Sequence, residues 1–171
     1  NKGLEAFNSG DFKTALKEWN SLAEKGDSKA QYNLGFMYAK GKGVEQDYTK
    51  ALYWYKKAAE QGLTRAQNNI GTIYDNGIGV PKDDSKAVYW YRKAAEQGNA
   101  NGQSNLGYMY AYGFGVPEDY VFAYMWSSLA IDKGSEIAKE LKNDLKQLMT
   151  QSQIAEAQRL SREWKPGQKS E

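Results

Sequence analysis

The 171-residue sequence contains no cysteine and no histidine. Without thiolates or imidazoles, the chain lacks the ligands of zinc and haem sites and the base of a Ser-His-Asp mechanism. The absence of cysteine leaves the redox compartment open, because proteins without disulfides occur in every compartment. We therefore expect no metal and no cofactor.

An excess of charge of one sign is also missing. Lysine and arginine number 23 against 21 aspartates and glutamates, and no basic run is longer than two residues. This balance does not favour nucleic acid or an anionic membrane surface as a partner. No apolar segment approaches the length of a membrane-spanning helix, so no span is expected. Proline is scarce, with three residues, whereas 13 tyrosines and five tryptophans favour helices packed through large rings.

One segment occurs three times in the chain at an offset of 36 residues, without a gap. The copies at residues 30–65 and 66–101 are identical at 20 of 36 positions, and a more divergent copy follows at residues 102–137. A fixed period of roughly 20–50 residues predicts a stacked array of small helical units. We predict one all-α structural domain made of a truncated first unit (1–29), repeats at 30–65, 66–101 and 102–137, C-terminal capping helices (138–165) and a frayed polar tail (166–171).

Each copy divides into two helices. In the first helix an apolar stripe follows helical spacing at Ala30, Leu34, Met37 and Tyr38. A glycine-containing turn interrupts the stripe, and an aspartate at position 47 and again at 83 predicts the N-terminus of the second helix. The turn lacks the strand and the Lys-Ser/Thr pair of a phosphate-binding loop. The second helix ends before the glycines at 62, 98 and 134.

Large aromatic residues recur on the second helix. Its predicted apolar face consists of Ala51, Trp54, Tyr55, Ala58 and Ala59. Trp54, Trp90 and Trp126 recur at fixed spacing, which favours packing over a role as ligand platforms. On this basis Trp90→Ala is expected to destabilise the protein by about 3–5 kcal/mol.

The divergent second helix of the third repeat is predicted to be covered by the chain that follows it. Two amphipathic stripes predict a terminal helical pair that closes the array. The first consists of Ile137, Leu141, Leu145, Leu148 and Met149, and the second of Ile154, Ala157, Leu160 and Trp164.

The opposite stripe of each first helix varies between repeats while the core stripe is maintained, which is expected of a binding surface. Tyrosine and arginine, which are frequent in interfaces, occur on it. The candidate partner-binding residues are Lys29, Tyr32, Asn33, Phe36, Lys40, Arg65, Asn68, Asn69, Thr72, Asp75, Asn76, Asn101, Ser104, Asn105, Tyr108 and Tyr112.

Asparagine is an exception to this variation, since Asn33, Asn69 and Asn105 occupy the same position in all three repeats. Two interpretations stay open. The amides can face a groove and pair with an extended peptide, or each can bond to the backbone of a neighbouring helix. For catalysis the stripe offers little: Asp75 lies on it, but no second acid shares the stripe to form a carboxylate pair.

The quoted repeats resemble the Sel-1-like repeat family, a relative of the tetratricopeptide repeats. The shared pattern is A-Q-x-x-L-G-x-x-Y-x-x-G-x-G-V followed by D-x-x-x-A-x-x-W-Y-x-K-A-A-E-Q-G, complete at 30–62 and 66–98 and partial at 102–134. The resemblance implies a right-handed α/α superhelical solenoid whose first helices line a concave face. It also implies a non-catalytic scaffold, which we expect to be a monomer that binds a protein or peptide.

Alternatives are an enzyme or enzyme inhibitor of cell-envelope metabolism and a purely structural assembly factor. Many bacterial members of the family are exported, so a periplasmic or secreted location is expected, with a cytoplasmic one left open. Gly3 corresponds to Gly35 within the first helix, so we expect native residues upstream of Asn1.

Overall fold

The computed structural model describes residues 2–169, and the chain divides into two compact units between Lys82 and Asp83. In the first unit the helices are α1 (Lys2–Asn8), α2 (Phe12–Glu24), α3 (Ser28–Lys40), α4 (Tyr48–Glu60) and α5 (Thr64–Asn76). Each of these helices packs against the next along the chain. The arrangement within this unit is therefore a succession of helical hairpins, as the repeat predicts.

The second unit contains α6 (Asp84–Glu96), α7 (Ala100–Tyr112), α8 (Tyr120–Ile131), α9 (Glu136–Leu148) and α10 (Gln151–Glu163). Helix α8 lies at its centre and contacts α7, α9 and α10. Its residues from Ala123 to Ala130 are all buried. The prediction that a terminal pair covers the second helix of the third repeat is confirmed.

Aspartates begin the second helices at the predicted places. The side chains of Asp47, Asp83 and Asp119 accept hydrogen bonds from the backbone N–H three residues later, at 2.9, 2.9 and 3.0 Å. These bonds satisfy donors that a helix N-terminus otherwise leaves unpaired. The backbone hydrogen bond from Lys50 lowers the pKa of the Asp47 carboxyl. The caps thus fix where each second helix starts.

Glycine in the first helix allows a ring of the second helix to lie against its backbone. A Cβ on Gly35 would lie 2.6 Å from Tyr55 Cδ1, and a Cβ on Gly3 would lie 2.5 Å from Trp19 Nε1. Both distances are too short for any side chain, so only glycine permits this packing. The same contact in α1 and α3 supports the predicted correspondence of Gly3 with Gly35.

The repeated glutamine of the first helix donates a hydrogen bond to a backbone carbonyl at the C-terminal end of the preceding second helix. Nε2 of Gln31, Gln67 and Gln103 donates to the carbonyl oxygens of Ala23, Ala59 and Ala95 at 3.1, 3.1 and 3.3 Å. All three glutamines are buried. The glutamine that recurs in the repeat is therefore a structural element that ties one hairpin to the next.

We expect Gln31→Leu to lower the free energy of unfolding by about 1–3 kcal/mol, because the variant loses two hydrogen bonds made by a buried side-chain amide. Gln31 donates to Ala23 and its Oε1 accepts from Gln61 Nε2 at 2.7 Å. Gln103→Leu is the matched control. Gln103 Oε1 has no hydrogen-bond partner within the described part of the chain, so its removal should cost less. Urea denaturation of both variants measures the difference, and equal losses would contradict it.

Parts of the predicted apolar stripes are less buried than expected. Trp54 and Trp90 are only half-buried, although Trp54 packs against the hydrophobic core, and the adjacent Tyr55 and Tyr91 are buried. Tyr38 is likewise half-buried. The reason for the tyrosine preference is the close approach at the first-helix glycine, which brings the residue after the tryptophan into the centre of the hairpin.

Two further corrections concern the C-terminal part of the second unit. Leu145 and Met149 of the predicted stripe are buried, but Ile137 and Leu148 are exposed, because the buried side of α9 is centred on Ala138 and Leu145. Residues 165–168 form a turn that is not frayed, since the Gly167 N–H donates to the Glu96 carbonyl at 2.7 Å. Residues 170–171 of the predicted tail lie outside the described residues.

Helix α9 continues the register of the first helices. Helices α3, α5, α7 and α9 each have 13 residues. Their first residues are Ser28, Thr64, Ala100 and Glu136, so each begins 36 residues after the one before. The capping pair thus follows the repeat pattern as a further hairpin, with a shorter turn of Met149 and Thr150 between its helices.

Candidate partner-binding surface

The 16 candidate residues define what we call the first-helix wall, and the structure leaves most of them accessible. Exposed members are Lys29, Lys40, Arg65, Asn76, Asn101, Tyr108 and Tyr112, and half-buried members are Tyr32, Asn33, Phe36, Asn69, Thr72, Asp75 and Asn105. Asn68 and Ser104 are buried, which contradicts their assignment to the wall.

The physical reason for this correction is visible at Ser104. Its hydroxyl lies 2.7 Å from the hydroxyl of Ser135, the N-cap of α9. In the second unit this repeat position therefore faces the next first helix and not solvent. At the same position in the first unit Asn68 is buried, whereas the longer Tyr32 is half-buried.

In the first unit, five wall residues meet at one cavity of about 320 Å³. They are Tyr32, Phe36, Lys40, Asn69 and Thr72. We call this cavity the α3–α5 groove, because these residues come from α3 and α5 alone. Lys29, Asn33, Arg65, Asn68, Asp75 and Asn76 belong to the wall of the same unit but do not line the groove. The prediction of a binding wall therefore found part of the lining.

Rings and one amide organise the floor of the groove. The rings of Tyr32 and Tyr55 are 5.5 Å apart, and Phe36 lies edge-on to Phe7 with centroids 6.0 Å apart. Asn69 Nδ2 donates to the Tyr32 hydroxyl at 3.5 Å. Burial raises the pKa of the Tyr55 hydroxyl, so this phenol stays neutral and able to donate a hydrogen bond.

Asn69 thus bonds to a side chain of the neighbouring first helix. A bond to a side chain was not among the two interpretations, and it leaves the amide at the groove, which Asn69 and Tyr32 both line. Its contribution is to hold the Tyr32 hydroxyl in place.

The groove also contains residues that were not predicted from the sequence. They are Ala39, Tyr48, Tyr55, Ile73 and Ile78. Tyr48 begins α4, and Ile78 stands in the turn between Gly77 and Gly79. A Cβ on Gly79 would lie 2.5 Å from Tyr48 Cβ, so the turn packs directly on the start of α4. Variation of the turn position among the repeats (Lys, Ile and Phe between two constant glycines) was the available signal.

In the second unit the wall carries a group of three accessible rings, which we call the aromatic triad: Tyr108, Tyr112 and Phe114. The Tyr108 and Tyr112 centroids are 4.5 Å apart, and Phe114 stacks on Tyr112 at 5.9 Å. Phe114 occupies the turn position of Ile78 and was not predicted. Asn101, Asn105 and Ser104 do not take part in these ring contacts.

The chemistry that this surface can perform is recognition through rings, amides and a few charges. Among residues 2–169, no group of three or more acidic side chains could hold a metal ion. Within the same range, no helix has the length and apolar character required to cross a membrane.

Comparison with known proteins agrees with this architecture. The family model for the Sel1 repeat matches residues 28–63, 64–99 and 100–135. Among curated proteins none matches the chain. These repeat boundaries each enclose one first helix and one second helix of the structure.

Solved structures with the same fold include a Sel1 repeat protein from Oxalobacter formigenes, with 34% identity and a TM-score of 0.81. The match covers 90% of this chain and 63% of that one. A second is a protective antigen present in uropathogenic Escherichia coli strains that displays an SLR fold, with 32% identity and a TM-score of 0.59. That match covers 89% of this chain and 40% of the antigen.

The chain spans less than two thirds of the length of both solved relatives. Its helices and these relatives together confirm the expected fold class, an all-α solenoid of paired helices. The matched repeats make up more than half of the chain. The protein belongs to the Sel1 repeat family.

Proposed function

We propose that this protein is a non-catalytic interaction protein that binds an extended segment of a partner protein through its first-helix wall. Repeats of this family are generally protein-interaction scaffolds. The observation that carries the proposal is the convergence of Tyr32, Phe36, Lys40, Asn69 and Thr72 on one groove.

The size of the groove suits one or two side chains of a peptide. Its volume of about 320 Å³ is at the lower end of ligand cavities. The lining combines rings with the hydroxyls of Tyr32 and Thr72 and the amide of Asn69. Rings supply contact area with little loss of conformational entropy, while the polar atoms can pair with peptide backbone.

The groove is preorganised for such a ligand. Tyr32 contacts Tyr55 and accepts a hydrogen bond from Asn69, and Phe36 contacts Phe7. Side chains that are already fixed lose little freedom on binding, so more of the contact energy appears as affinity. The protein then acts by presenting a rigid surface and needs no catalytic group.

Selection of random 12-residue peptides on the protein tests the proposal. Peptides that bind the unaltered protein should bind at least about tenfold more weakly to Thr72→Arg, because a long charged side chain fills the groove without removing a ring. The double variant Tyr32→Ala/Phe36→Ala should show the same loss. A tenfold change corresponds to about 1.4 kcal/mol.

Tyr53→Ala is the matched control. Tyr53 lies in the same unit on α4, is exposed, and does not line the groove. Far-UV circular dichroism checks that all variants are folded. Peptides that bind the Thr72→Arg variant undiminished, or that depend on Tyr53 instead, would show that the groove is not the binding site.

A further inference from the structure

Helix α9, which takes the first-helix position in the capping pair, extends the wall of the second unit. By the repeat offset of 36 residues, Ile137 stands at the position of Asn101, Leu141 at that of Asn105, and Leu148 at that of Tyr112. Helices α7 and α9 are in contact, and Ser104 meets Ser135 at their N-terminal ends. Equivalent positions on two packed neighbours lie side by side, roughly 8–10 Å apart from axis to axis.

This extended wall is unusually apolar for an exposed surface. Ile137 is 76% exposed and Leu148 is 64% exposed, while Tyr108 and Tyr112 are 45% and 51% exposed. With Phe114 these residues form what we call the C-terminal patch. Of the exposed large apolar residues in the described part of this unit, only Tyr89 lies elsewhere. Concentration of such residues on one face is typical of an interaction site.

The patch carries negative charge. Asp144 lies on the same stripe of α9 as Ile137 and Leu148, and Glu140 lies one turn before it. Glu118, four residues after Phe114 in the chain, raises the pKa of the Tyr120 hydroxyl, on which Tyr112 also acts. At the wall positions of α7 and α9 there is no lysine or arginine.

The basic residues of α9 point elsewhere. At roughly 100° per residue, Lys139, Lys142 and Lys146 lie on the opposite side of the helix from Ile137 and Leu148. Lys142 Nζ lies 4.7 Å from the ring centroid of Tyr124 on α8, and Lys139 pairs with Glu136 at 3.4 Å. The carboxylates of the patch are therefore not neutralised by lysines of their own helix.

We propose that the C-terminal patch binds a partner segment that presents apolar side chains together with lysine or arginine. This inference rests on the proposed function, since it assumes that the first-helix wall faces the partner. Ile137 and Leu148 bury the apolar side chains, the triad offers ring faces to a cation, and Asp144 and Glu140 supply the opposite charge.

The wall of the first unit has the opposite charge. The two units are therefore expected to bind ligands of different charge. The wall of the first unit carries the exposed Lys29, Lys40 and Arg65 and one half-buried acid, Asp75, so positive charge predominates. A basic segment would be repelled there and attracted to the C-terminal patch. Charge therefore determines which part of a partner each unit accepts.

Fluorescence anisotropy with three labelled 12-residue peptides tests the inference. One peptide alternates Leu with Arg, the second Leu with Glu, and the third Ser with Arg. We expect the Leu/Arg peptide to bind at least about tenfold more tightly than either of the others. Ile137→Ser/Leu148→Ser and Glu140→Lys/Asp144→Lys should each weaken its binding at least about tenfold, and these exposed positions allow the variants to fold.

Two controls separate this inference from the proposed function. Tyr89→Ser, an exposed tyrosine of the same unit, and Thr72→Arg, in the first unit, should leave binding of the Leu/Arg peptide unchanged. Equal binding of the Ser/Arg or Leu/Glu peptide, no binding at all, or binding insensitive to the patch variants would overturn the inference. Self-association lost in Ile137→Ser/Leu148→Ser would assign the patch to a second copy and overturn it too. The groove variants would still decide the proposed function independently.

Discussion

Trp126→Ala should lower the free energy of unfolding by about 3–5 kcal/mol, the range for truncation of a large ring in a core. Trp126 has an exposure of 0% and meets Trp164 edge-on, with ring centroids 5.6 Å apart. The neighbouring Ser127 is also fully buried, so little can move into the space that the indole leaves. Urea denaturation followed by far-UV circular dichroism measures the loss.

Trp90→Ala is the matched control, since the same residue type stands at the same repeat position in the same unit. Trp90 is half-buried and rests edge-on against the exposed Tyr89, at 5.2 Å. Its truncation should cost about 0.5–2 kcal/mol, less than the sequence alone suggested. If both variants lost the same free energy of unfolding, the greater burial of Trp126 on α8 would not explain its contribution to stability.

Gly115→Ala should lower the free energy of unfolding by about 2–5 kcal/mol, the sum of backbone strain and a clash. Gly115 has a φ of +67°, a conformation that L residues rarely adopt. A Cβ there would also lie 2.4 Å from the Asp84 carbonyl oxygen, where the turn packs on the start of α6. Backbone cannot move aside as a side chain can, so the clash persists.

Gly113→Ala isolates the first of these two effects. Gly113 has the same φ of +67°, but a Cβ there would come no closer than 3.4 Å to any neighbouring atom. We expect a loss of only about 1–2 kcal/mol, from strain alone. Thermal and urea unfolding of the pair compares them directly, and a Gly113 variant as unstable as the Gly115 variant would rule out the packing contribution.

The helices and their order could be predicted from the sequence because the same pattern occurs in several copies, and each copy supports the assignment made in the others. Asp47 and Asp83 recur at one offset, and both cap a helix in the structure. Periodicity is a weaker guide to which of two adjacent residues is buried. Trp54 and Tyr55 both fall within the apolar stripe, and only the close approach at Gly35 selects the tyrosine.

The candidate site was harder to predict for a related reason. The wall stripe is a property of single helices, whereas the groove is formed by a second helix and a turn as well. Tyr55 was assigned to the core, and Tyr48 and Ile78 lie outside the first helix altogether. Ser104 faces α9 because of packing that no single-helix pattern contains.

The composition of α9 did not show which of its positions correspond to the core and which to the wall of the earlier first helices. Its core stripe and its wall stripe are both apolar, so Ile137 and Leu148 were assigned to the buried side together with Leu145 and Met149. The fixed spacing of the helix starts separates the two stripes. The 36-residue offset could be applied to α9 only once the structure showed that the helix begins at Glu136.

The glutamine that ties one hairpin to the next has a consequence for synthesis on the ribosome. The donor for the Ala23 carbonyl, Gln31, comes eight residues later in the chain, and the same separation holds for Ala59 with Gln67 and for Ala95 with Gln103. At roughly 5–20 residues per second, each donor is added within about two seconds of the acceptor. The backbone N–H of the glycine three residues later already donates to each of these carbonyls, so a newly emerged second helix lacks only the additional bond from the glutamine until the next repeat begins. Folding in the cell should advance from the N-terminus hairpin by hairpin, each one stabilised by the start of its successor.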